Sequence, residues 1–171
     1  MLGPPSAREQ AALAVGVGEI GGVDDVLGPE VLGRRELLAG EEADEPLVAE
    51  GELVTVIGTT VPRRCTRDEA QAAVLGWTIG NDVSARAWQR SDRTFWRCKN
   101  SDTFKPMGPY IVTGGDPLSA TTTVRVDGEV KASFPTGDML FDPYDFICAM
   151  SRYITLRPAT SCGWAPTRPP P

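Results

Sequence analysis

The sequence of 171 residues contains no histidine. This absence excludes serine–histidine–aspartate and cysteine–histidine catalytic groups, and it removes the usual nitrogen ligand of zinc. A base in this chain must therefore be a carboxylate, a lysine, a tyrosine, a cysteine or a metal-bound water. The four cysteines show no CxxC spacing, which argues against a zinc cluster. Scattered thiols in an acidic chain favour a reducing, cytoplasmic setting over a disulfide framework.

Long apolar runs and an excess of positive charge are also missing. The most apolar N-terminal stretch, AALAVGVGEIGG, is interrupted by Glu19 and follows Arg8 and Glu9. It is too short and too polar for a signal peptide or a membrane span. Seventeen basic residues against 23 acidic ones give a net charge of −6, which disfavours a nucleic-acid surface. We expect a cytoplasmic protein that binds neither membranes nor nucleic acid.

The composition divides the chain into three segments. Residues 1–46 are rich in Gly, Glu and Ala without a sustained period, and we expect an atypical, flexible segment with helical turns at 7–15 and 31–38. Residues 47–158 carry regular strand and helix signals and should form the folded domain. Residues 159–171, ATSCGWAPTRPPP, are rich in proline and should neither pair as a strand nor continue a helix.

The central segment mixes strand and helix signals without a regular βαβ alternation. This pattern predicts an α+β fold, a mixed and mainly antiparallel β-roll with a few short helices. Thr66 and Glu69 form a capping-box signature, and Asp127-Gly128 is a hairpin turn signal. The predicted elements are a strand at 53–57, a helix at about 67–75, a strand at 77–83 with a bulge at Gly80, a helical turn at about 84–89, a buried strand at 110–112, a hairpin of 121–126 and 130–134, and a helix at 143–153.

A glycine-rich stretch in the N-terminal segment suggests a different class of protein. Residues 16–21 fit GxGxxG, and Glu41 follows at about the distance of the acidic residue in a dinucleotide-binding unit. That motif needs a preceding strand and a following helix. Here the preceding AREQAALAV is typical of a helix, and the following GVDDVLGPE contains Gly and Pro. A dinucleotide-binding module is the last of our alternatives.

A group of charged residues suggests a metal site. Glu50 and Glu52 stand two apart at the head of a strand, so their side chains share one face and can converge on one cation. Asp82, beside Asn81 in an apolar strand, would be costly to bury without a partner. Lys99 could stabilise an enolate or orient a carboxylate. The alternatives are glutamates that merely solvate the outer face of a strand and a lysine on the surface.

Successive stretches of the sequence resemble the motifs of the fumarylacetoacetate hydrolase family. They are EGELVTVIG, GWTIGNDVSARAWQ, CKNSDTFKPMGPYIV, RVDGEV and TGDMLFDPYDFICAMSRYITLRP, in the order and spacing of the family. The resemblance implies a β-roll domain, a homodimer and a bound Mg²⁺ or Mn²⁺. It implies an enzyme acting on a 2-oxo or 1,3-dicarbonyl acid, by hydrolysis of a C–C bond in an acylpyruvate, isomerisation or decarboxylation, in the catabolism of aromatic compounds.

The resemblance also implies roles for six residues. The metal ligands of the family match Glu50, Glu52 and Asp82, its active-site lysine matches Lys99, and residues near the substrate match Arg86 and Gln89. In the mechanism that this implies, the metal chelates the 2-oxo acid while the lysine adds a second positive charge at the developing enolate.

The chain also departs from the family pattern. Hydrolytic members use a His–Glu pair upstream of the Glu-x-Glu motif, and this chain has no histidine. Ala87 stands where Asp is common, and Lys131 with Ala132 replaces a frequent Gln. After Pro158 the family continues with a Gly-Asp strand and a loop that closes the site. We expect a member truncated at both ends, with a frameshifted or mispredicted tail, and the alternative is a catalytically impaired remnant that retains only metal or partner binding.

Overall fold

The computed structural model describes residues 13–17 and 47–164, the former as backbone only. Its strands form two three-stranded sheets in which every neighbouring pair is antiparallel. The predicted α+β class with mainly antiparallel sheets is therefore confirmed. The elements are β1 Leu13–Val17, β2 Gly51–Ile57, α1 Arg67–Ala73, β3 Val74–Asn81, α2 Arg86–Gln89, α3 Trp96–Asn100, a 3₁₀ turn Pro117–Ser119, β4 Thr121–Val126, β5 Glu129–Pro135, α4 Pro143–Met150 and β6 Ser161–Trp164.

Strand β2 is the centre of the second sheet, which has the order β3-β2-β6. Its apolar residues are buried, as expected for a β-branched strand with a neighbour on each side. In the register with β3, Glu52 lies opposite Gly80 and Gly51 opposite Asn81. The start of β2 therefore adjoins the end of β3, from which the chain continues into Asp82.

Local sequence signals determine several element boundaries as predicted. Glu69 N–H donates to the Thr66 hydroxyl and Thr66 N–H donates to the Glu69 carboxylate, which completes the capping box of α1. Asp127 and Gly128 have φ values of 52° and 80° between β4 and β5, as the hairpin turn requires. Pro143 occupies the first turn of α4, where no N–H is needed.

The predicted boundary between α1 and β3 was wrong, and so was the predicted bulge. The helix ends at Ala73, and Leu75 already belongs to β3. The register shifts where Val56 and Ile57 face Gly76 and Val74, so Leu75 is the extra residue rather than Gly80. Gly80 pairs regularly with Glu52. A Cβ at this position would lie 2.8 Å from Val54 Cγ2, so close packing explains the glycine.

The segment 110–112 is not the buried strand that was predicted. Tyr110 and Ile111 are 61% and 48% exposed, and Val112 forms only an isolated bridge to β3. A Cβ on Gly76 would overlap the Val112 carbonyl. The segment therefore touches β3 at one point that glycine leaves open, instead of running along the strand.

The beginning of the proline-rich tail forms a strand, contrary to the prediction. Ser161–Trp164 pairs with β2 as β6, and the Trp164 indole N–H donates to Thr55 Oγ1 at 2.9 Å. The Phe146 and Trp164 rings pack edge to face with centroids 4.6 Å apart. Backbone pairing with the open side of β2 needs no particular side chains, and these four residues contain no proline. The helix predicted for 143–153 ends at Met150, and residues 165–171 lie outside the described part.

Of the N-terminal segment, the structure describes residues 13–17. Residues 13–17 form β1 on β4, so the helix predicted for 7–15 is wrong at its end. The pairing is antiparallel, whereas a dinucleotide-binding unit uses parallel strands. The rest of the GxGxxG motif and the helix predicted for 31–38 lie outside the described residues. The division of the chain into three segments stays a prediction.

The largest apolar cluster lies at the Ile57 end of β2, beneath α1 and α4. Within the described ranges, no helix is long and apolar enough to cross a membrane. The buried members of the cluster are Ile57, Val61, Cys65, Ala70, Ala73, Ile147 and Leu156.

Candidate functional site

The six residues predicted for the site lie around the opposite, N-terminal end of β2. Backbone hydrogen bonds continue the pairing of β2 and β3 past the strand ends: Asp82 N–H donates to the Glu50 carbonyl at 2.9 Å, and Val48 pairs with Ser84. Glu50 N–H donates to Asn81 Oδ1 at 2.9 Å. These bonds hold Glu50 and Asp82 beside each other, although neither lies within a strand.

Lys99 of α3 connects the two carboxylates. Its ammonium donates to Glu50 Oε2 at 2.8 Å, to Ser84 Oγ at 2.8 Å and to Asp82 Oδ2. The Lys99 side chain is 17% exposed and that of Asp82 is 12% exposed. Lys99 is therefore not a surface lysine, and Asp82 has the partner that its burial requires.

A second lysine, Lys105, binds the other oxygen of Asp82. Burial raises the pKa of Asp82, but the hydrogen bonds from Lys105 and Lys99 outweigh it and hold the pKa below its usual value. Burial likewise lowers the pKa of Lys99, yet the hydrogen bonds to Asp82 and Glu50 raise it above the ordinary value. Lys99 therefore stays protonated at neutral pH, as a hydrogen-bond donor and not as a base.

Arg86 and Gln89 lie together on α2, as residues three apart on a helix do. Arg86 Nη2 forms an ion pair with Glu50 Oε1, and Arg86 Nη1 donates to Gln89 Oε1 at 2.6 Å. Gln89 thus holds the guanidinium in position over Glu50. The structure therefore brings Arg86, predicted to lie near the substrate, to the carboxylate of Glu50, and it joins Gln89 to the site through Arg86.

Glu52 is the acidic residue of the site that lacks a hydrogen-bond partner among the described residues. Burial, followed by the negative charge of Asp82, raises its pKa to about 7, although Lys105 and Lys99 act in the opposite direction. Its carboxylate lies against Gly163 of β6, where a Cβ would overlap Glu52 Oε2. A half-buried carboxylate with acidic neighbours is the kind of group that a bound cation stabilises.

The chemistry of these residues fits a hard divalent cation. Glu50, Glu52 and Asp82 offer only oxygen donors, which suit Mg²⁺ or Mn²⁺. Over residues 47–164, however, the acidic and thiol side chains form no group of three that could hold a metal as they stand. The Lys99 ammonium is the cation between Glu50 and Asp82 in this arrangement. Metal binding by these carboxylates stays a prediction, and it would require them to exchange a lysine for the ion.

Sequence reasoning missed three contributors to the site. Ser84 follows Asp82 by two residues, so the strand-like spacing could have indicated a shared face. Lys105 gave no such signal. Its backbone has a φ of 58°, and this loop conformation, which brings its ammonium to Asp82, is not evident from the sequence. Gly163 lies in the tail that was expected not to pair.

Comparisons with known proteins identify the family and support the fold. The family described as "Fumarylacetoacetate (FAA) hydrolase C-terminal" matches residues 20–160. The chain is 36% identical over 119 residues to oxaloacetate tautomerase YisK of Bacillus subtilis, covering 68% of this chain and 39% of that protein.

Two solved structures of similar proteins superimpose on this chain. Fumarylacetoacetate hydrolase from Exiguobacterium antarcticum superimposes with a TM-score of 0.70 at 37% identity, over 74% of this chain and 47% of that one. The 5-carboxymethyl-2-hydroxymuconate delta-isomerase from Mycobacterium smegmatis gives a TM-score of 0.66 at 40% identity, over 70% and 47% of the two chains. The chain spans about half the length of the curated relatives it matches, with 46%, 50% and 43% of the length covered in proteins from Methanocaldococcus jannaschii, Archaeoglobus fulgidus and Mycobacterium tuberculosis.

Proposed function

The chain belongs to the fumarylacetoacetate hydrolase family, and we propose on that basis that it forms part of a Mg²⁺- or Mn²⁺-dependent enzyme acting on a 2-oxo acid. The observation that carries the proposal is the Lys99 ammonium held between Glu50 and Asp82. Relatives named as a tautomerase and an isomerase support proton transfer through an enol of the substrate as the reaction. A role in the catabolism of aromatic compounds is part of the same proposal.

Each residue of the site has a role in such a reaction. Glu50, Glu52 and Asp82 would hold the divalent ion, which when bound supplies a Lewis acid for the 2-oxo acid group. Lys99 Nζ would keep its proton and donate a hydrogen bond to the oxygen on which enolate charge develops. The low exposure of Lys99 and Asp82 limits competition from water, which strengthens that interaction.

Arg86 would bind a carboxylate of the substrate. Its guanidinium offers more donors than its contacts to Glu50 and Gln89 use, and its side chain is 38% exposed. Gln89 would act as a positioning residue, because it holds one edge of the guanidinium.

Decarboxylation needs no base, and tautomerisation and isomerisation need one only to take a proton from carbon, whereas hydrolysis must activate a water molecule. Hydrolysis needs a base that activates water, and the loss of such a base typically costs about 10²–10⁴-fold in rate. The chain has no histidine for that role. We therefore propose enolisation or decarboxylation as the main activity and C–C bond hydrolysis of an acylpyruvate as a weaker one.

Three assays on the purified chain test this proposal. They follow the enol absorbance of oxaloacetate, the release of CO₂ from oxaloacetate, and the cleavage of an acylpyruvate, each with Mg²⁺ and with EDTA. We expect Mg²⁺-dependent acceleration of enol–keto exchange that falls at least tenfold in Lys99→Met, while Lys131→Met keeps the wild-type rate. A folded protein that accelerates none of the reactions with Mg²⁺ would overturn the proposal.

The second candidate is a catalytically impaired protein that retains metal or partner binding. The absence of histidine favours it, since this chain then lacks the histidine of the family's hydrolytic pair. Magnesium-dependent binding of oxalate without turnover of any of the three reactions would support this candidate over the enzyme.

We also propose that the chain assembles as a homodimer. Several large apolar side chains are exposed in the described part, and such surface is typical of subunit contacts. Sedimentation or light scattering should give twice the mass of the chain, and a monomer at micromolar concentration would contradict the proposal. The most exposed of these side chains are Tyr153, Leu140, Trp96, Phe141 and Tyr110.

A further inference from the structure

Two cysteines face each other within the apolar cluster, away from the carboxylate site. Cys65 Sγ and Cys148 Sγ are 3.5 Å apart although the residues are 83 positions apart in the sequence. Both are free thiols. We propose that this pair is a modification site, a dithiol that a small-molecule disulfide oxidises reversibly to an intramolecular disulfide.

The backbone around the pair holds the sulfur atoms close together. Cys65 N–H donates to Ser151 Oγ at 3.1 Å, and the Ser151 hydroxyl donates to the Cys148 carbonyl at 2.8 Å. Arg64 N–H donates to the Ser151 carbonyl at 3.2 Å. One serine at the end of α4 therefore ties the loop that carries Cys65 to the helix that carries Cys148.

A second contact joins the same two elements from the solvent side. Arg67, in the first turn of α1, forms ion pairs with Asp142 and with Asp145, the latter at 2.7 Å. Its guanidinium also lies 5.2 Å from the centre of the Tyr144 ring. These contacts hold the loop before α1 and the start of α1 beside helix α4.

The remaining movement needed for a bond is small. A disulfide has an S–S distance of about 2.05 Å, so the sulfur atoms must approach by about 1.5 Å. Cys65 precedes the first residue of α1 and lies in irregular backbone, which can adjust, while Cys148 lies within α4. Because the loop can move without breaking helical hydrogen bonds, closure should need no rearrangement of the fold.

The exposure of the two cysteines sets the order of the chemical steps. Cys148 is partly exposed and Cys65 is buried, so the reagent meets Cys148 first. The Cys148 thiolate attacks the reagent disulfide, forms a mixed disulfide and releases one reagent thiolate. The Cys65 thiolate then attacks Cys148 Sγ and releases the second. Two protein thiols are oxidised, one reagent disulfide is reduced to two thiols, and the two protons pass from the protein thiols to the reagent thiolates.

The environment of Cys148 also sets the rate. Burial, the hydrogen bond with Cys65 and the charge of Asp145 raise the pKa of Cys148 to about 11, against a smaller opposite effect of Arg67. Little thiolate is therefore present at pH 7, and the first step should accelerate by roughly tenfold per pH unit between pH 7 and pH 9. A closed disulfide should then raise the Tm by about 5–15 °C, because it links distant positions of the unfolded chain.

The test treats the purified chain with oxidised glutathione and maps the peptides without reduction. We expect a Cys65–Cys148 cross-linked peptide, a mass lower by about 2 Da, the Tm rise given above, and full reversal by dithiothreitol. The cross-link and the Tm rise should be lost in Cys148→Ser. They should persist in Cys162→Ser, which removes a partly exposed thiol elsewhere.

Peptide mapping of the wild type needs no variant to fold, so the proposal stays testable if Cys148→Ser is unstable. Four free thiols, or glutathione adducts without a cross-link, after oxidation at pH 9 would overturn it. A cross-link through Cys162 or Cys98 would overturn it as well. Oxalate and Mg²⁺ play no part in this experiment, so its result is independent of the proposed enzymatic function.

Discussion

The two ends of strand β2 differ sharply, although they belong to one seven-residue strand. At the charged end, Glu50 and Glu52 lie with Asp82 among two lysines and an arginine. At the apolar end, Ile57 packs in a closed cluster with Ile147. Charged groups near water can exchange one partner for another, whereas buried apolar side chains have no alternative contact. Binding and stability should therefore be separable by mutations at opposite ends of one strand.

The strongest test of this separation is Ile147→Ala at the apolar end. Ile147 is fully buried, so truncation should leave a cavity and lower the free energy of unfolding by about 2–5 kcal/mol. Urea unfolding measures the loss, and the folded variant should bind Mg²⁺ as the wild type does. Ile154→Ala is the matched control, because Ile154 is 52% exposed and should cost less than about 1 kcal/mol. An equal loss in both variants would refute the comparison.

The next largest effect concerns pH at the charged end. The pKa of Glu52 is raised from 4.5 to about 7, so between these values the native state binds a proton that the unfolded chain has released. Stability in EDTA should therefore fall as pH rises through 7, by about 1–3 kcal/mol from this group. Urea unfolding at pH 5 and pH 8 measures the fall.

Glu52→Gln should remove most of this pH dependence. The control is Glu129→Gln, because Glu129 is an exposed residue whose pKa Lys131 lowers, so it does not titrate between pH 5 and pH 8. Excess Mg²⁺ should also flatten the dependence in the wild type. A slope that Glu52→Gln leaves unchanged would show that another group causes it.

A smaller effect is expected from Lys99→Met, in which the affinity for Mg²⁺ should rise. A general loss of structure would lower that affinity instead. The Lys99 ammonium neutralises Glu50 and Asp82, so it competes with any other cation there. Its removal should tighten Mg²⁺ binding about tenfold, even though catalysis falls. Calorimetric titration measures the affinity, and Lys131→Met, at an exposed ion pair on β5, should leave it unchanged. Weaker Mg²⁺ binding in Lys99→Met would mean that the lysine supports the ion.

The smallest effect should come from the tail. A Cβ on Gly163 would overlap Glu52 Oε2, and the flexible carboxylate can swing aside more easily than the backbone can move. Gly163→Ala should therefore weaken Mg²⁺ binding about two- to fivefold, with a loss of stability below about 1 kcal/mol. Cys162→Ala changes the opposite face of the same strand and should have no effect on the affinity. Equal Mg²⁺ affinities in both variants would show that the tail is not part of the site.

The sequence predicted the parts of this molecule that depend on near neighbours. The capping box at Thr66, the turn at Asp127 and the start of α4 at Pro143 involve residues a few positions apart, whose chemistry determines the local backbone. The family motifs likewise identified Glu50 and Lys99, which meet in the structure. The same reasoning could not assign Lys105, because its reach to Asp82 depends on a loop conformation.

Long-range pairing is what the sequence left open. β6 forms because β2 presents an open side, and nothing within Ser161–Trp164 indicates that partner. The register between β2 and β3 likewise shifts at Leu75, which has no partner on β2. Composition therefore predicted an unpaired tail, while the backbone of a distant strand determined the outcome.

We propose above all that the charged end of β2 binds a divalent cation together with a 2-oxo acid. The most direct measurement is calorimetric titration of Mg²⁺ into the chain with and without oxalate, for the wild type and for Asp82→Ala. We expect oxalate binding that requires Mg²⁺ and weakens at least 100-fold in Asp82→Ala, because one ligand and the anchor of two lysines are lost together. Binding of oxalate without Mg²⁺, or equal binding by both proteins, would contradict it.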